Sequence, residues 1–261
     1  KLALKLSVIA PIGTSPPVIT EFVQYVEEGL GERISDLTVI NTSDPYIVSC
    51  TDLAEQAVLD KYPHINFHRH QLGFEDIDSE KKLYEFMLDA AGVLKEQVEK
   101  FNADKIYVNS AGGRKDAIIA LSTLCQFFPV SGIFHIVMPD VKSFNAQLEK
   151  AKRDIEEIGR ASDKKAYYLS KKEIFEPLMY PHPSTYSVIK IPIIPFSPKI
   201  VKNLAKVLKN NKTSKKSSGL DESHIRMLVS IGVLTSDRNY LYPTDEGRLF
   251  LKIIEKLVGT D

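Results

Sequence analysis

Residues 105–116 read KIYVNSAGGRKD, and the order of residue types in that stretch decides how the rest of the chain is read. Lys105 to Asn109 is an apolar run of β-branched and aromatic character, the composition of a buried strand. Ser110, Ala111, Gly112 and Gly113 make a turn, and from Lys115 to Phe128 apolar residues recur at three- and four-residue spacing, the pattern of a helix. The turn also carries chemistry. Gly112 and Gly113 let backbone N–H groups come against a ligand, Arg114 can grip a phosphate through two donors, and Lys115 adds a point charge at the helix start. Cations at a helix N-terminus oppose its dipole. That cost is recovered when an anion arrives, so anion binding is favoured over a solvated charged turn.

The same arrangement opens the chain. Leu4 to Ala10 reads as a buried strand, followed by PIGTSPP at 11–17 and then by helical spacing from Val18 to Gly29. Gly13 permits a close turn, Thr14 and Ser15 place hydroxyls beside a helix N-terminus, and Pro16 or Pro17 suits a first helical turn. A plain N-cap role for Ser15 is the alternative reading. Further strand-like runs fall at Leu37–Asn41, Ile65–His70, Gly132–Met138 and Val188–Ile194, with helical stretches at Thr51–Tyr62 and Ser79–Phe101. Ser79 offers a cap for the latter, and Asn102 a left-handed stop. Alternation of this kind predicts an α/β fold, a mostly parallel doubly wound sheet with helices on both faces. Both glycine turns then lie at carboxyl ends of strands and form one site. Neither turn matches a P-loop or a dinucleotide fingerprint, which argues against an NTPase or a nicotinamide enzyme.

Composition narrows the class. Over 261 residues the 34 basic and 34 acidic side chains balance, so any charge signal is local. Cys50 and Cys125 lack metal or disulfide spacing and suit a reducing cytoplasm. No stretch approaches a membrane span. His64, His68 and His70 flank a strand at alternating spacing, but no Cys or carboxylate completes a tetrahedral zinc set, so no metal and no cofactor is assigned. Asp76 and Asp78 read as turn or cap residues. Three segments are expected: 1–197 as the α/β domain, 198–219 as a Lys/Ser-rich linker following a short helix and better read as solvated than as touching nucleic acid, and 220–261 as a small winged-helix-like domain. In the last, a helix over Leu220–Ile231 stops at Gly232, a hairpin spans Val233–Tyr242, and Thr244 caps a final helix to Val258.

The Gly13-Thr14-Ser15-Pro16 turn after the first strand, the Gly112-Gly113-Arg114-Lys115 turn after a central strand and the C-terminal winged-helix pattern together resemble the CARF domain proteins of CRISPR defence, over roughly residues 4–195. Within that superfamily the pairing of turns looks most like the ring nucleases. The resemblance implies a cytoplasmic homodimer that binds cyclic tetra-adenylate across its two-fold axis and cleaves it without a metal, leaving 2′,3′-cyclic phosphates and switching off type III signalling. It implies substrate contacts from Gly13, Thr14, Ser15, Ser110, Gly112, Gly113, Arg114 and Lys115, and catalytic roles for Ser15 and Lys115. The family also uses a lysine near the end of the domain. Residues 179–190, MYPHPSTYSVIK, offer His182 and Lys190, with Tyr186 as a polar neighbour. The competing function is a CARF transcription regulator that reads DNA through the winged helix. The helix over 221–231 offers only His224 and Arg226 against Asp221 and Glu222, and the wing only Arg238, so DNA is the less favoured partner. A HEPN-type effector nuclease is disfavoured, because no Arg is followed four to six residues later by His.

Overall fold

Leu6–Pro11 (β1) and Lys105–Asn109 (β4) lie side by side and parallel at the centre of a six-stranded sheet. The computed structural model describes residues 4–128 and 130–259. Chain order is β1, Pro17–Gln24 (α1), Ile34–Asn41 (β2), Pro45–Lys61 (α2), Asn66–Gln71 (β3), Glu80–Glu99 (α3), β4, Lys115–Phe127 (α4), Gly132–Val137 (β5), Val141–Arg160 (α5), Lys164–Ser170 (α6), Lys172–Met179 (α7) and Ser187–Ile191 (β6). The strand order is β3-β2-β1-β4-β5-β6, all parallel except β6, which pairs antiparallel with β5. This is the mostly parallel α/β sheet expected from the alternation of strand and helix.

Strand alternation sends successive side chains to opposite faces and so builds two cores. Val8, Ala10, Leu37, Val39 and Tyr107 face Phe22, Leu53, Ile155 and Phe175 of α1, α2, α5 and α7. Ile9, Ile40, Ile106 and Val108 face Phe86, Leu94, Leu121 and Leu124 of α3 and α4. Cys50 and Cys125 are buried in these layers, and burial pushes both thiols up to about 12. They are packing residues.

Several element bounds differ from those expected. The second strand starts at Ile34, and α2 begins six residues before Thr51 because Asp44 accepts from Tyr46 N and Ile47 N at 2.9 and 3.0 Å while Pro45 fits the first turn. The last strand stops at Ile191. Ser79 caps α3, and Asn102 takes φ 53, as expected. Helices α5 to α7 went unread in the sequence. The linker expected over 198–219 is structured. Pro198–Lys209 (α8) is capped by Ser197 and buries Val201, Leu204, Val207 and Leu208, and Thr213–Ser214 (β7) joins a small antiparallel sheet. That sheet, ordered β7-β9-β8, pairs β7 with Tyr240–Pro243 (β9) and β9 with Leu234–Ser236 (β8). Glu222–Ser230 (α9) and Asp245–Val258 (α10) pack around it. Residues 1–3 and 260–261, the ends of the two outer expected segments, lie outside the described residues.

One buried charge stands out within α1. Glu21 is 1% exposed, its Oε1 has no hydrogen-bond partner among the described residues, and burial pushes its carboxyl from about 4.5 up to about 7. Between those values the folded chain holds a proton that the unfolded chain releases, so stability falls as pH rises through the window and is flat above it. Urea unfolding from pH 4.5 to 8 should show a loss of about 3 kcal/mol at most. Glu21→Gln should abolish that slope and be the more stable chain at pH 8; a slope unchanged by the substitution would remove Glu21 as its source.

Candidate functional site

The crevice forms where connections from adjacent central strands leave to opposite faces of the sheet. The chain passes from β1 to α1 on one face and from β4 to α4 on the other, and ligands bind at such a switch point. The two glycine turns meet there. A side chain at Gly13 would begin 3.3 Å from Gly113 N. One at Gly112 would begin 2.5 Å from the Pro11 carbonyl oxygen and 2.9 Å from Val18 Cγ2, so only glycine lets the second turn pass beneath the first. Gly113 takes φ 87, a left-handed conformation suited to glycine. Asn109, fully buried, ties the turns together: its Nδ2 donates to Val18 O at 2.9 Å and its Oδ1 accepts from Ala111 N at 3.0 Å.

The side chains around this crossing fall into two groups. At α1 the cap position is Pro16, with no side-chain cap bond, so Ser15 does not act as an N-cap. Ser15 contributes its carbonyl to Val18 N at 3.4 Å, and among the described residues neither its hydroxyl nor that of Thr14 has a hydrogen-bond partner. Both hydroxyls are available to a ligand. Lys115, exposed at the first position of α4, has no ion-pair partner among the described residues. Ser110 differs from the expectation. It is buried, and both its backbone N and its hydroxyl donate to Phe134 O, at 2.8 and 2.9 Å, so it clamps the end of β4 to β5 and does not face a ligand.

Arg114 is held by carboxylates. Its Nη1 donates to both oxygens of Asp76, at 3.0 and 2.9 Å, and its Nε lies 3.6 Å from Asp116 Oδ1. Asp116 also accepts from Ala117 N at 2.8 Å, which offsets the cations at this helix start. Sequence reasoning assigned Asp76 to a turn and missed its link to Arg114. The link arises because the loop after β3 folds back over the strand ends, fixed by Ser43 N donating to Phe74 O at 2.9 Å. The legible signal was that this loop, too, follows a strand of the parallel sheet.

His182 and Lys190 are not brought to the crossing. His182 is exposed, its Nδ1 lying 2.7 Å from Ser184 Oγ. Its loop packs farther down α1, where Tyr186 OH donates to Glu21 O at 3.1 Å and accepts from the Gln24 side-chain amide at 2.9 Å, roughly one to two turns beyond the helix start. Lys190 pairs with Phe134 in the register of β5 and β6, and its stem runs back toward Gly132. Gly132 is level with Tyr107, three residues below Ser110, a drop of roughly 10 Å along the strand. His64, just before β3, and His68 and His70 within it each meet a carboxylate: His64 to Glu27 at 3.0 Å, His68 to Asp36 at 2.9 Å and His70 to Asp89 at 3.2 Å.

The chain is similar to known proteins of CRISPR systems. A CRISPR system ring nuclease from Saccharolobus solfataricus is 28% identical over 158 residues, covering 59% of this chain and 82% of the relative. The structure of Enterococcus italicus Csm6 bound to cyclic hexa-2′-fluoro-hexa-dAMP superposes with a TM-score of 0.50 at 15% identity. That match covers 79% of this chain, which spans 47% of the Csm6 chain, and it shows a shared fold. No described helix is long and apolar enough to cross a membrane. Residues 15–226 match the family described as CRISPR-associated protein NE0113, and the chain belongs to that family of CRISPR-associated proteins, on the CARF-type fold that its two glycine turns resemble.

Proposed function

We propose that this chain is a cytoplasmic ring nuclease that binds cyclic tetra-adenylate across a homodimer and opens it without a metal. The observation that carries the reading is the crossing of the two turns, which sets the unpartnered hydroxyls of Thr14 and Ser15 beside a helix start bearing Arg114 and Lys115. The ring nuclease relative supports the activity. In the reaction a ribose 2′-oxygen attacks the adjacent phosphorus and the P–O5′ bond breaks. The 2′-oxygen loses its proton, the departing 5′-oxygen gains one, and a 2′,3′-cyclic phosphate remains. Ser15 orients the reacting ribose or phosphate, Arg114 and Lys115 bind phosphate oxygens as charge builds, and Gly112 and Gly113 offer backbone donors. No step is assigned to His182 or Lys190.

The regulator reading keeps one observation. The order α8, β7, α9, β8, β9, α10 resembles a winged helix and supports that reading, although α9 presents Glu222 beside His224 and Arg226. Incubation of the purified protein with cyclic tetra-adenylate and chelator separates the two. Linear products ending in a cyclic phosphate are expected; ligand bound tightly and recovered intact would favour the regulator.

Two mutant comparisons test the roles. Ser15→Ala should slow cleavage roughly a hundredfold while affinity changes less than about threefold, whereas Arg114→Ala should damage both, because a phosphate clamp acts in the ground state as well. Loss of affinity without loss of rate in Ser15→Ala would refute its role. Asp76→Asn should tighten binding by up to about fivefold, since an exposed pair worth roughly 1 kcal/mol at most no longer competes for the guanidinium. Weaker binding in that variant would mean that Asp76 orients Arg114 and does not compete for it.

A further inference from the structure

The charge balance of the chain conceals a strongly one-sided region. Residues 198–219 hold seven lysines and no aspartate or glutamate, so outside them 27 basic residues face 34 acidic ones. A run of this kind in a flexible linker would be an ordinary solvated segment. Here it is ordered. At 100° per residue, Lys199, Lys202, Lys206 and Lys209 fall within an arc of about 80° on α8. All four are exposed, and they lie opposite Val201, Leu204 and Leu208, which are buried against Leu228, Leu234 and Ile254. Among the described residues the only ion pair in this row joins Lys209 to Glu255 at 4.0 Å. The row continues into Lys212, stacked 3.7 Å over the Tyr240 ring, and into Lys215 and Lys216. Lys215 N donates to Asn239 O in the β8–β9 turn, beside exposed Arg238.

We propose that this face of α8 is a docking surface for duplex DNA, held through its phosphates. The rigid helix keeps like charges together at a cost that a polyanion removes. From Lys199 to Lys209 the helix advances roughly 15 Å. A DNA strand advances roughly 3.4 Å per phosphate, so four lysines face about four phosphates of one strand. The row offers ammonium groups, and the half-buried Tyr240 ring beside it already carries the Lys212 ammonium at 3.7 Å. Binding is therefore to the backbone, without base stacking or base-edge contacts. This surface is separate from α9, the helix a winged-helix regulator would place in the groove, and it does not depend on the ring nuclease reading.

The test is fluorescence anisotropy of the full chain with a labelled 20-base-pair DNA duplex of arbitrary sequence, titrated at 50 to 200 mM salt. Micromolar binding is expected, weakening roughly a hundredfold across that range with a logarithmic slope near −3.6. Lys199→Gln combined with Lys202→Gln, Lys206→Gln and Lys209→Gln should abolish it, and Lys199→Gln with Lys206→Gln should lower the slope by about two. All four positions are exposed, and unchanged thermal unfolding of the double variant guards against misfolding. Absence of binding at 50 mM salt would overturn the proposal. So would binding lost in Arg226→Gln but kept in the α8 variants, or tighter binding of single-stranded RNA than of the duplex.

Discussion

The passage of Gly112 beneath Pro11 is the contact on which the site depends. Two backbone segments approach until a single added carbon would stand 2.5 Å from a carbonyl oxygen, and buried Asn109 closes the crossing from below. This is possible because β1 and β4 are neighbours, and they are neighbours because their helices go to opposite faces. Sheet order, helix sides and crevice are one constraint seen at three scales. The crossing also decides which groups remain for chemistry. Asn109 and Ser110 are consumed in holding the turns, while Thr14, Ser15 and Lys115 make no such bond among the described residues.

Electrostatics at the crossing are arranged for exchange. Arg114 is paired with Asp76, but both side chains are about half exposed, 55% and 50%, and a pair of that kind is weak. A phosphate approaching the α4 N-terminus meets the helix dipole, the Lys115 ammonium and a guanidinium whose present partner is readily displaced. Glu21, by contrast, lies in the buried body of α1, its Oε1 with no partner to exchange among the described residues.

The strand, glycine turn and helix of 105–128 were legible because each step changes residue type abruptly, and the same is true of 4–29. Helix α5 was not, because only Ala151, Ile155 and Ile158 of its 20 residues are buried, leaving a narrow apolar stripe among charges. The segment 198–219 misled for a related reason. Seven lysines dominate its composition, although Val201, Leu204 and Leu208 sit at helical spacing between them. At the site, sequence order indicated which residues stand on the turns but not where side chains point. Ser110 turned inward to Phe134, Lys190 ran back toward Gly132, and the reach of Asp76 depended on a loop folding over two strands. Each of these is a matter of register or loop path, which composition does not encode.

Helix α10 belongs to both parts of the molecule. Ile253 and Leu257 complete the core beneath α3 and α4, while Ile254, between them, completes the core of the C-terminal sheet. Neither body can shed this helix without opening its own interior, so the stability of each is tied to that of the other. Anything that tightens the layer under α3 and α4 would by the same route steady the distant three-stranded sheet without touching it.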